Sequence, residues 1–271
     1  MSPSSSLPSA LDPQQGVLPR LRGQQLAVFL DYDGTLTPIA ARPELAVMSD
    51  AMRDVLQTLA THCPVAIVSG RDRVDVQHLV RLEALYYAGS HGFDIVGPQG
   101  VPIQHRVGES FTPILDQTEA ALHRRLDGIA GVLIERKAFA IAVHVRHVLA
   151  PQEREVESQI DAILSQQPTL CKKYGKKVFD LLPAINWDKG QAVLWLLHHL
   201  GLETPAVTPL YIGDDVTDED AFQALALAGR GLGILVAESP QPTAAQFFLR
   251  HPDEVQSFLQ QLIVLMASGC C

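Results

Sequence analysis

Short apolar runs alternate along this chain with segments in which apolar side chains recur every three or four positions. The runs Leu26–Leu30 and Val65–Val68 have the length and composition of buried strands. Between them, residues 50–62 have the apolar spacing of an amphipathic helix. A strand, a helix and a second strand in this order predict parallel pairing of the two strands.

The alternation continues, is interrupted from residue 106 to residue 182, and then resumes. Before the interruption we predict a helix at 73–81 and a strand at 85–89. Within it we predict a helix at 113–129, a β-hairpin at 132–148, a helix at 152–166 and a strand at 176–182. After it we predict a helix at 187–201 ending at Gly201, a strand at 209–213, and a helix at 218–228 with a capping box of Thr217 and Asp220.

The predicted fold class is therefore α/β, with a Rossmann-like core and a smaller inserted α+β domain. The core comprises residues 21–105 and 183–271 and contains the parallel sheet, and the insertion comprises residues 106–182. Residues 1–20 are rich in Ser, Pro and Gln, a composition that buries too little apolar surface to order itself, so we expect disorder there.

Composition narrows the class of function. The net charge of -9 over 271 residues argues against a general nucleic-acid binder, which needs a basic surface. No apolar run approaches the roughly 18 residues of a membrane span, and the first residues lack the pattern of a secretory signal. The few scattered cysteines indicate reduced thiols. We expect a cytoplasmic protein with neither a membrane nor a nucleic-acid partner.

Acidic and small polar residues follow the predicted strands or begin the predicted helices. They occur in the segments DYDGT at 31–35, VSGR at 68–71, WDKG at 187–190 and IGDDVTDED at 212–220. Because the carboxyl ends of parallel strands form the ligand crevice of an open α/β sheet, these segments should converge. Several carboxylates in one crevice favour a hard cation such as Mg²⁺, with Asp31 and Asp214 as first ligand candidates. The alternative for Asp31 and Asp33 is an ordinary acidic turn.

The same residues are sufficient for phosphoryl chemistry. Ser69 can donate a hydroxyl hydrogen bond to a phosphate ester, and the Lys189 ammonium can pair with its charge. Asp31 can attack phosphorus to form an aspartyl phosphate. Asp33 can protonate the leaving alkoxide and later deprotonate the attacking water.

The four segments resemble, in order, the four motifs of the haloacid dehalogenase superfamily of phosphatases. The resemblance implies that Mg²⁺ is held by the side chain of Asp31, the main-chain carbonyl of Asp33 and the side chain of Asp214. It also implies phosphate binding by Ser69, Gly70 and Lys189. Asp215 and Asp218 would hold Lys189 or the metal waters in place, or else only stabilise a helix N-terminus through its dipole. Arg71 is interpreted as a structural or rim residue.

The predicted hairpin carries a second candidate surface. In strand phase His144 and Arg146 share a face with Ala140 and Ala142, while the intervening residues 141, 143 and 145 are apolar. Polar side chains over small residues suit a polyhydroxyl ligand. An ordinary solvated sheet face is the alternative.

Longer stretches are similar to the trehalose-6-phosphate phosphatase family, namely YAGSHGFDI at 87–95, the pattern around 135–146, GKKVFD at 175–180 and INWDKGQA at 185–192. The similarity implies that the insertion is a cap whose side chains bind the sugar: Glu135, Lys137, His144, Arg146, Lys176 and Asp180. Asp180 stands where the family usually has Glu, and Val145 where it often has Tyr. His91 is expected to face the substrate or a hinge, or else to occupy a glycine-rich turn.

The resemblance implies Mg²⁺-dependent hydrolysis of trehalose 6-phosphate, with a sugar phosphate as the small-molecule partner and a functional association with trehalose-6-phosphate synthase. Two alternatives stay open. One is a related phosphatase acting on sucrose 6-phosphate or a glycosyl phosphoglycerate. The other is a non-catalytic sugar-phosphate sensor.

Overall fold

The computed structural model describes residues 7–99, 101 and 103–268, which form two compact units. The larger unit runs up to Gln104 and resumes at Asp188, and the smaller comprises His105–Trp187. Among the helices described, none combines the length and apolar character needed to span a bilayer. Cys63 and Cys171 are free thiols, whereas Cys270 and Cys271 lie outside the described residues.

The larger unit is built on a mainly parallel sheet. Its strands are β1 (Gln25–Leu30), β2 (Val65–Val68), β3 (Tyr86–Gly89), β4 (Asp94–Val96), β10 (Val207–Gly213), β11 (Leu232–Val236) and β12 (Phe247–Leu249). A further strand of the sheet, β5 (Gln104–Arg106), begins at the last residue of this segment of the unit and continues into the smaller unit. The sheet order is β12-β11-β10-β1-β2-β3-β4-β5, and pairing is parallel from β12 to β3 and antiparallel between β3 and β4. The helices are α1 (Asp50–Leu59), α2 (Arg73–Val80), α5 (Lys189–His199), α6 (Glu219–Leu227) and α7 (Pro252–Ser268).

The central strands are apolar because both of their faces are covered. Five of the six residues of β1, and all four of β2, are buried, as parallel sheets flanked by helices require. The chain adds β2 and β3 on one side of β1 and β10 to β12 on the other. The strand order therefore reverses at β1, and such a reversal opens a crevice at the carboxyl end of the sheet.

The smaller unit packs two helices on one face of an antiparallel sheet. The strands β6 (Leu133–Arg136), β7 (Ile141–His144), β8 (Leu170–Gly175) and β9 (Val178–Pro183) have the order β6-β7-β9-β8. The helices are α3 (Thr112–Leu126) and α4 (Ala150–Leu164). One apolar cluster contains buried residues of both helices together with Ile141 and Val143 of β7. The predicted hairpin is thus the β6–β7 pair, with its apolar face against the helices.

Several predicted boundaries differ from the structure. Helix α1 ends at Leu59 rather than at residue 62, and the N–H groups of Thr61, His62 and Cys63 close turns onto the carbonyls of Thr58 and Leu59. Strand β8 was not predicted, since the lysines in its sequence obscure the alternation, nor were β11, β12 and α7. The smaller unit continues past Leu182 to Trp187, whose ring lies 5.3 Å from that of His105.

The predicted capping box of Thr217 and Asp220 is wrong by two residues. A short 3₁₀ turn, Val216–Asp218, precedes α6, and its capping box is formed by Asp215 and Asp218. By contrast, Gly201 ends α5 as predicted. It has φ 65°, and the following Leu202 donates its N–H to the Leu197 carbonyl at 2.9 Å, which is the pattern of a glycine-terminated helix.

The prediction of disorder for residues 1–20 is wrong for the part that the structure describes. Residues 8–10 lie beside edge strand β12: the Phe248 N–H donates to the Pro8 carbonyl at 3.1 Å, and Ala10 donates its N–H to the Phe248 carbonyl at 2.9 Å. Ala10 and Val17 are fully buried in the core cluster of the larger unit. A few apolar residues in a polar segment are enough to order it when they cover a sheet edge.

This packing predicts that Val17→Ala destabilises the protein. Removing two buried methyl groups should lower the free energy of unfolding by about 1–2 kcal/mol, measured by urea denaturation. Gln15→Ala, at an exposed position of the same segment, is the matched control and should have no measurable effect. Equal stability of both variants would show that the segment does not pack on the core in solution.

Candidate active site

Three polar side chains lie at the carboxyl ends of neighbouring strands. Asp31 follows β1, Ser69 follows β2 and Asp214 follows β10, and β1 pairs directly with both of the other strands. All three side chains are buried. The Asp31 N–H donates to the Ile212 carbonyl at 2.9 Å, which extends the β1–β10 pairing to the first acid of the motif. The sheet therefore brings together residues that lie far apart in the sequence.

A buried lysine joins two of the acids. Lys189 is the first residue of α5, whose start is capped by the Asp188 side chain. The Lys189 Nζ donates to Asp31 Oδ1 at 2.8 Å and to Asp218 Oδ1 at 2.7 Å. Because all three side chains are almost completely buried, each charge depends on the others for compensation.

Asp218 is the most heavily bonded acid of this group. In addition to Lys189, its Oδ1 accepts from the Tyr211 hydroxyl at 2.6 Å, and its Oδ2 accepts from the main-chain N–H groups of Asp214 and Asp215, both at 2.9 Å. Asp218 therefore fixes Lys189 and the backbone of the loop that carries Asp214. The sequence allowed two roles for Asp218, namely holding Lys189 in place or stabilising a helix N-terminus through its dipole. The contacts of Asp218 fit the first role better.

Tyr211 was missed by the sequence analysis, although it lies on β10 just before the fourth motif. Its position in the apolar strand PLYIGDD could have indicated a role, because the hydroxyl of a fully buried Tyr needs a hydrogen-bond partner. Asp215, in contrast, is only half-buried and accepts from the Val216 N–H at 2.8 Å.

Charges and burial shift the ionisation of this network. Burial raises the pKa of Asp31 well above its ordinary value, Lys189 opposes the shift, and the carboxylates of Asp218 and Asp214 add to it. Burial would lower the pKa of Lys189, but Asp218 and Asp31 outweigh burial and raise this pKa. A cation beside Asp31 and Asp214 would therefore favour the ionised form of Asp31.

The acids Asp31, Asp214 and Asp218 each offer a carboxylate oxygen within 4.8 Å of the others, a separation that a metal ion can bridge. The hydrogen bonds of Asp218 occupy both of its oxygens, so Asp31 and Asp214 are the better candidates for ligands. An all-oxygen donor set suits Mg²⁺. Gly34, at φ 83°, is needed here, because a Cβ at this position would collide with the Asp214 carboxylate.

Asp33 differs from Asp31 in its surroundings. Its side chain is partly exposed, and both of its oxygens accept hydrogen bonds from Arg71, from Nε to Oδ2 and from Nη2 to Oδ1, each at 2.7 Å. Arg71 also donates from Nη1 to Asp75 Oδ2 at 3.1 Å and from Nη2 to the Pro43 carbonyl at 2.8 Å. Burial would lower the pKa of Arg71, but its bonds to Asp33 and Asp75 raise it.

The loop of Ser69 and Gly70 lies on a second loop that contains His91. The His91 N–H donates to the Ser69 carbonyl at 2.9 Å, and Ser90 donates its N–H to the Arg71 carbonyl at 2.6 Å. His91 is buried with its ring against Gly70, where an added Cβ would lie 2.9 Å from His91 Cε1. Ser90 and His91 both have positive φ. In this position His91 supports the backbone of the Ser69–Gly70 loop from within a turn, as in the alternative interpretation. A role of His91 in substrate contact or in a hinge stays a prediction.

In the smaller unit, four predicted residues form two pairs on the sheet face opposite the helices. His144 Nε2 lies 2.8 Å from a Glu135 carboxylate oxygen, and Lys137 Nζ donates to Asp180 Oδ1 at 3.3 Å. Ala142 pairs in register with both Glu135 and Asp180. The shorter side chain of Asp180 still reaches Lys137.

Arg146 and Lys176 do not share this strand face. Strand β7 ends at His144, and a turn closed by the Val148 N–H to the Val145 carbonyl follows, so the expected strand phase does not reach Arg146. Lys176 lies in the two-residue turn between β8 and β9. Both residues are exposed at one end of the sheet, and their part in sugar binding stays a prediction.

The comparisons of sequence with known proteins show one family. The sequence pattern of the trehalose-phosphatase family matches residues 29–253. Probable trehalose-phosphate phosphatase 3 of Oryza sativa subsp. japonica is 42% identical over an alignment of 277 positions, which covers 97% of this chain and 76% of that protein. The trehalose-6-phosphate phosphatase of Aspergillus fumigatus is 28% identical, with a TM-score of 0.62 and coverage of 95% of this chain and 99% of that one.

A further solved structure, the C-terminal domain of C. albicans trehalose-6-phosphate phosphatase, has a TM-score of 0.79 at 23% identity and covers 96% of this chain and 99% of that one. At this identity the match establishes only the fold. It is the predicted α/β fold with a parallel core sheet and an inserted α+β unit.

The hydrogen bonds predict different consequences for two neighbouring acids. Asp218→Asn removes a fully buried charge from Lys189 and should lower the free energy of unfolding by about 3 kcal/mol. Asp215→Asn keeps a good capping residue and should cost less than about 1 kcal/mol. Urea denaturation of both variants measures the difference. Small and equal effects would restore the interpretation of both acids as helix-dipole partners.

Proposed function

Because the chain belongs to the trehalose-phosphatase family, we propose that it hydrolyses trehalose 6-phosphate to trehalose and inorganic phosphate. The observation that carries the proposal is the buried cluster of Asp31, Lys189, Asp214 and Asp218 at the carboxyl end of the parallel sheet. A sensor that only binds a sugar phosphate has no need for an acid at the strand end whose charge is compensated in this way. A hydrolase needs it as a nucleophile.

The first step transfers the phosphoryl group to the protein. A carboxylate oxygen of Asp31 attacks phosphorus, the bond from phosphorus to the sugar oxygen breaks, and Asp33 gives its proton to that oxygen as trehalose leaves. In the second step Asp33 takes a proton from water, whose oxygen attacks phosphorus and displaces Asp31. Inorganic phosphate then leaves and both acids return to their first state.

Lys189, Ser69 and Gly70 are assigned to the phosphate. The Lys189 ammonium balances phosphate charge and the charge of Asp31, with Asp218 fixing its position. The Ser69 hydroxyl and the Gly70 backbone donate to phosphate oxygens. Asp31, the main-chain carbonyl of Asp33, and Asp214 would hold Mg²⁺. When bound, the cation neutralises carboxylate and phosphate charge.

Sugar recognition is assigned to the polar sheet face of the smaller unit. Glu135, Lys137, His144 and Asp180 there offer hydrogen-bond donors and acceptors beside the small residue Ala142. Lysine and carboxylate groups form strong hydrogen bonds with sugar hydroxyls. Arg146 and Lys176, exposed at one end of the same sheet, are proposed to contribute further contacts. A functional association with the synthase that supplies trehalose 6-phosphate, and a cytoplasmic location, are part of the same proposal.

The proposed nucleophile is tested by Asp31→Asn. The variant should release phosphate from trehalose 6-phosphate at least about 1,000-fold more slowly than the unaltered protein, because an amide cannot form the intermediate. Its circular dichroism should stay unchanged. Release by the unaltered protein should also stop with EDTA and return with added Mg²⁺. Substantial Mg²⁺-dependent release by Asp31→Asn would exclude Asp31 as the nucleophile.

The proposed sugar face is tested by His144→Ala. Losing a hydrogen bond to the sugar should raise KM for trehalose 6-phosphate by about tenfold, with no change for p-nitrophenyl phosphate, which has no sugar. Glu157→Gln is the control, since Glu157 lies on α4 and contacts Lys172 and Tyr174 on the other side of the sheet. Equal KM values for His144→Ala and the control would contradict the assignment.

A further inference from the structure

Arg71 has more contacts near the candidate active site than a rim residue needs. Its guanidinium binds both oxygens of Asp33 in a fork, at 2.7 Å each, and is anchored behind by the Pro43 carbonyl at 2.8 Å and Asp75 at 3.1 Å. These contacts use most of the N–H donors of the group. The guanidinium carbon also lies 5.4 Å from the centre of the Tyr32 ring.

Arg71 lies between residues that are themselves buried and hydrogen-bonded. Tyr32 is fully buried, and its hydroxyl donates to the Ala46 carbonyl at 2.8 Å. The Arg71 N–H donates to Ser69 Oγ at 3.1 Å, which ties the residue to the proposed phosphate loop. Only a tenth of the Arg71 side chain is exposed, whereas 39% of the Asp33 side chain is. The fork therefore connects a fixed arginine to an otherwise accessible carboxylate.

We propose that Arg71 is a positioning residue for the reaction: its fork holds the Asp33 carboxylate in the orientation from which Asp33 exchanges its proton with the sugar oxygen. The inference rests on the proposed function, and it adds a role for a residue that the four sequence motifs leave unassigned. A displacement of about 1 Å in a reacting group can cost on the order of 100-fold in rate. Rotation of Asp33 about its side-chain bonds would produce displacements of that size.

A different role, direct binding of phosphate by Arg71, has a different consequence. A phosphate ligand assists every phosphate ester, whatever its leaving group. A residue that positions the general acid assists only esters whose leaving group needs a proton. The sugar alkoxide of trehalose 6-phosphate needs one, whereas p-nitrophenolate leaves readily without one. The two roles are therefore separated by comparing kcat/KM, which reports the step in which the leaving group departs.

The experiment measures kcat/KM for both substrates with Arg71→Lys and Arg71→Gln. Lysine keeps the charge but cannot form the fork, and glutamine removes the charge. For both variants kcat/KM for trehalose 6-phosphate should fall by about 10- to 100-fold, and kcat/KM for p-nitrophenyl phosphate should change by less than about threefold. The retained p-nitrophenyl phosphatase activity shows at the same time that the variants are folded.

Arg73→Lys is the matched control. Arg73 lies two residues away, and its Nε donates to Asp94 at 2.9 Å in a comparably buried pair. Neither Arg73 nor Asp94 contacts Asp33 among the described hydrogen bonds. Its kcat/KM values should stay within about twofold of those of the unaltered protein for both substrates, as for substitutions away from a site.

Two results would overturn the proposal. Equal losses with both substrates would assign Arg71 to phosphate binding or to the fold, and no loss with either would leave it without a role in the reaction. If the unaltered protein hydrolyses p-nitrophenyl phosphate but not trehalose 6-phosphate, the proposed substrate is wrong. The Arg71 proposal is then decided by the same ratio, measured with whichever sugar phosphate of a panel the protein does hydrolyse.

Discussion

The candidate site depends on two buried ion pairs, from Lys189 to Asp31 and from Lys189 to Asp218. A lysine and two acids would each be costly to bury alone, and together they compensate one another at distances of 2.7 and 2.8 Å. The network needs the first residue of α5, the end of β1 and the turn before α6 to meet at one point. The parallel sheet brings them there, because β1 lies between β2 and β10. The fold thus assembles the buried ion cluster that forms the candidate site.

Asp31 and Asp33, the two acids of the first motif, lie in different surroundings and therefore differ in their chemistry. Asp31 is buried and paired with a lysine, while Asp33 is partly exposed and held by an arginine. A buried acid whose charge is compensated is suited to attack phosphorus, and an accessible acid is suited to exchange protons with a leaving group and with water. Gly34, which follows Asp33, allows the chain there to lie close to the Asp214 carboxylate.

Much of the core could be predicted from the sequence, because strands buried on both faces are continuous apolar runs and three of the four motifs follow one of them. The contacts of Asp218 with Tyr211 and with two backbone N–H groups could not, since they depend on where the 3₁₀ turn begins. The fork between Arg71 and Asp33 joins residues 38 positions apart, and no local pattern indicates it.

Two predictions from the sequence were wrong. Composition predicted disorder at residues 7–20, but two side chains of this segment are buried and cover a sheet edge. In the smaller unit the hairpin phase held as far as His144 and failed for Arg146, where the strand gives way to a turn.

The phosphoryl-transfer residues do not specify the sugar. The identity of the sugar is therefore the sharpest test of the proposed function. The measurement is kcat/KM for phosphate release from trehalose 6-phosphate, compared with sucrose 6-phosphate, a glycosyl phosphoglycerate and glucose 6-phosphate under the same Mg²⁺ concentration. The proposed sugar face should favour trehalose 6-phosphate by at least about 100-fold. Equal kcat/KM values across the panel, or a preference for another sugar phosphate, would contradict the proposal that trehalose 6-phosphate is the substrate.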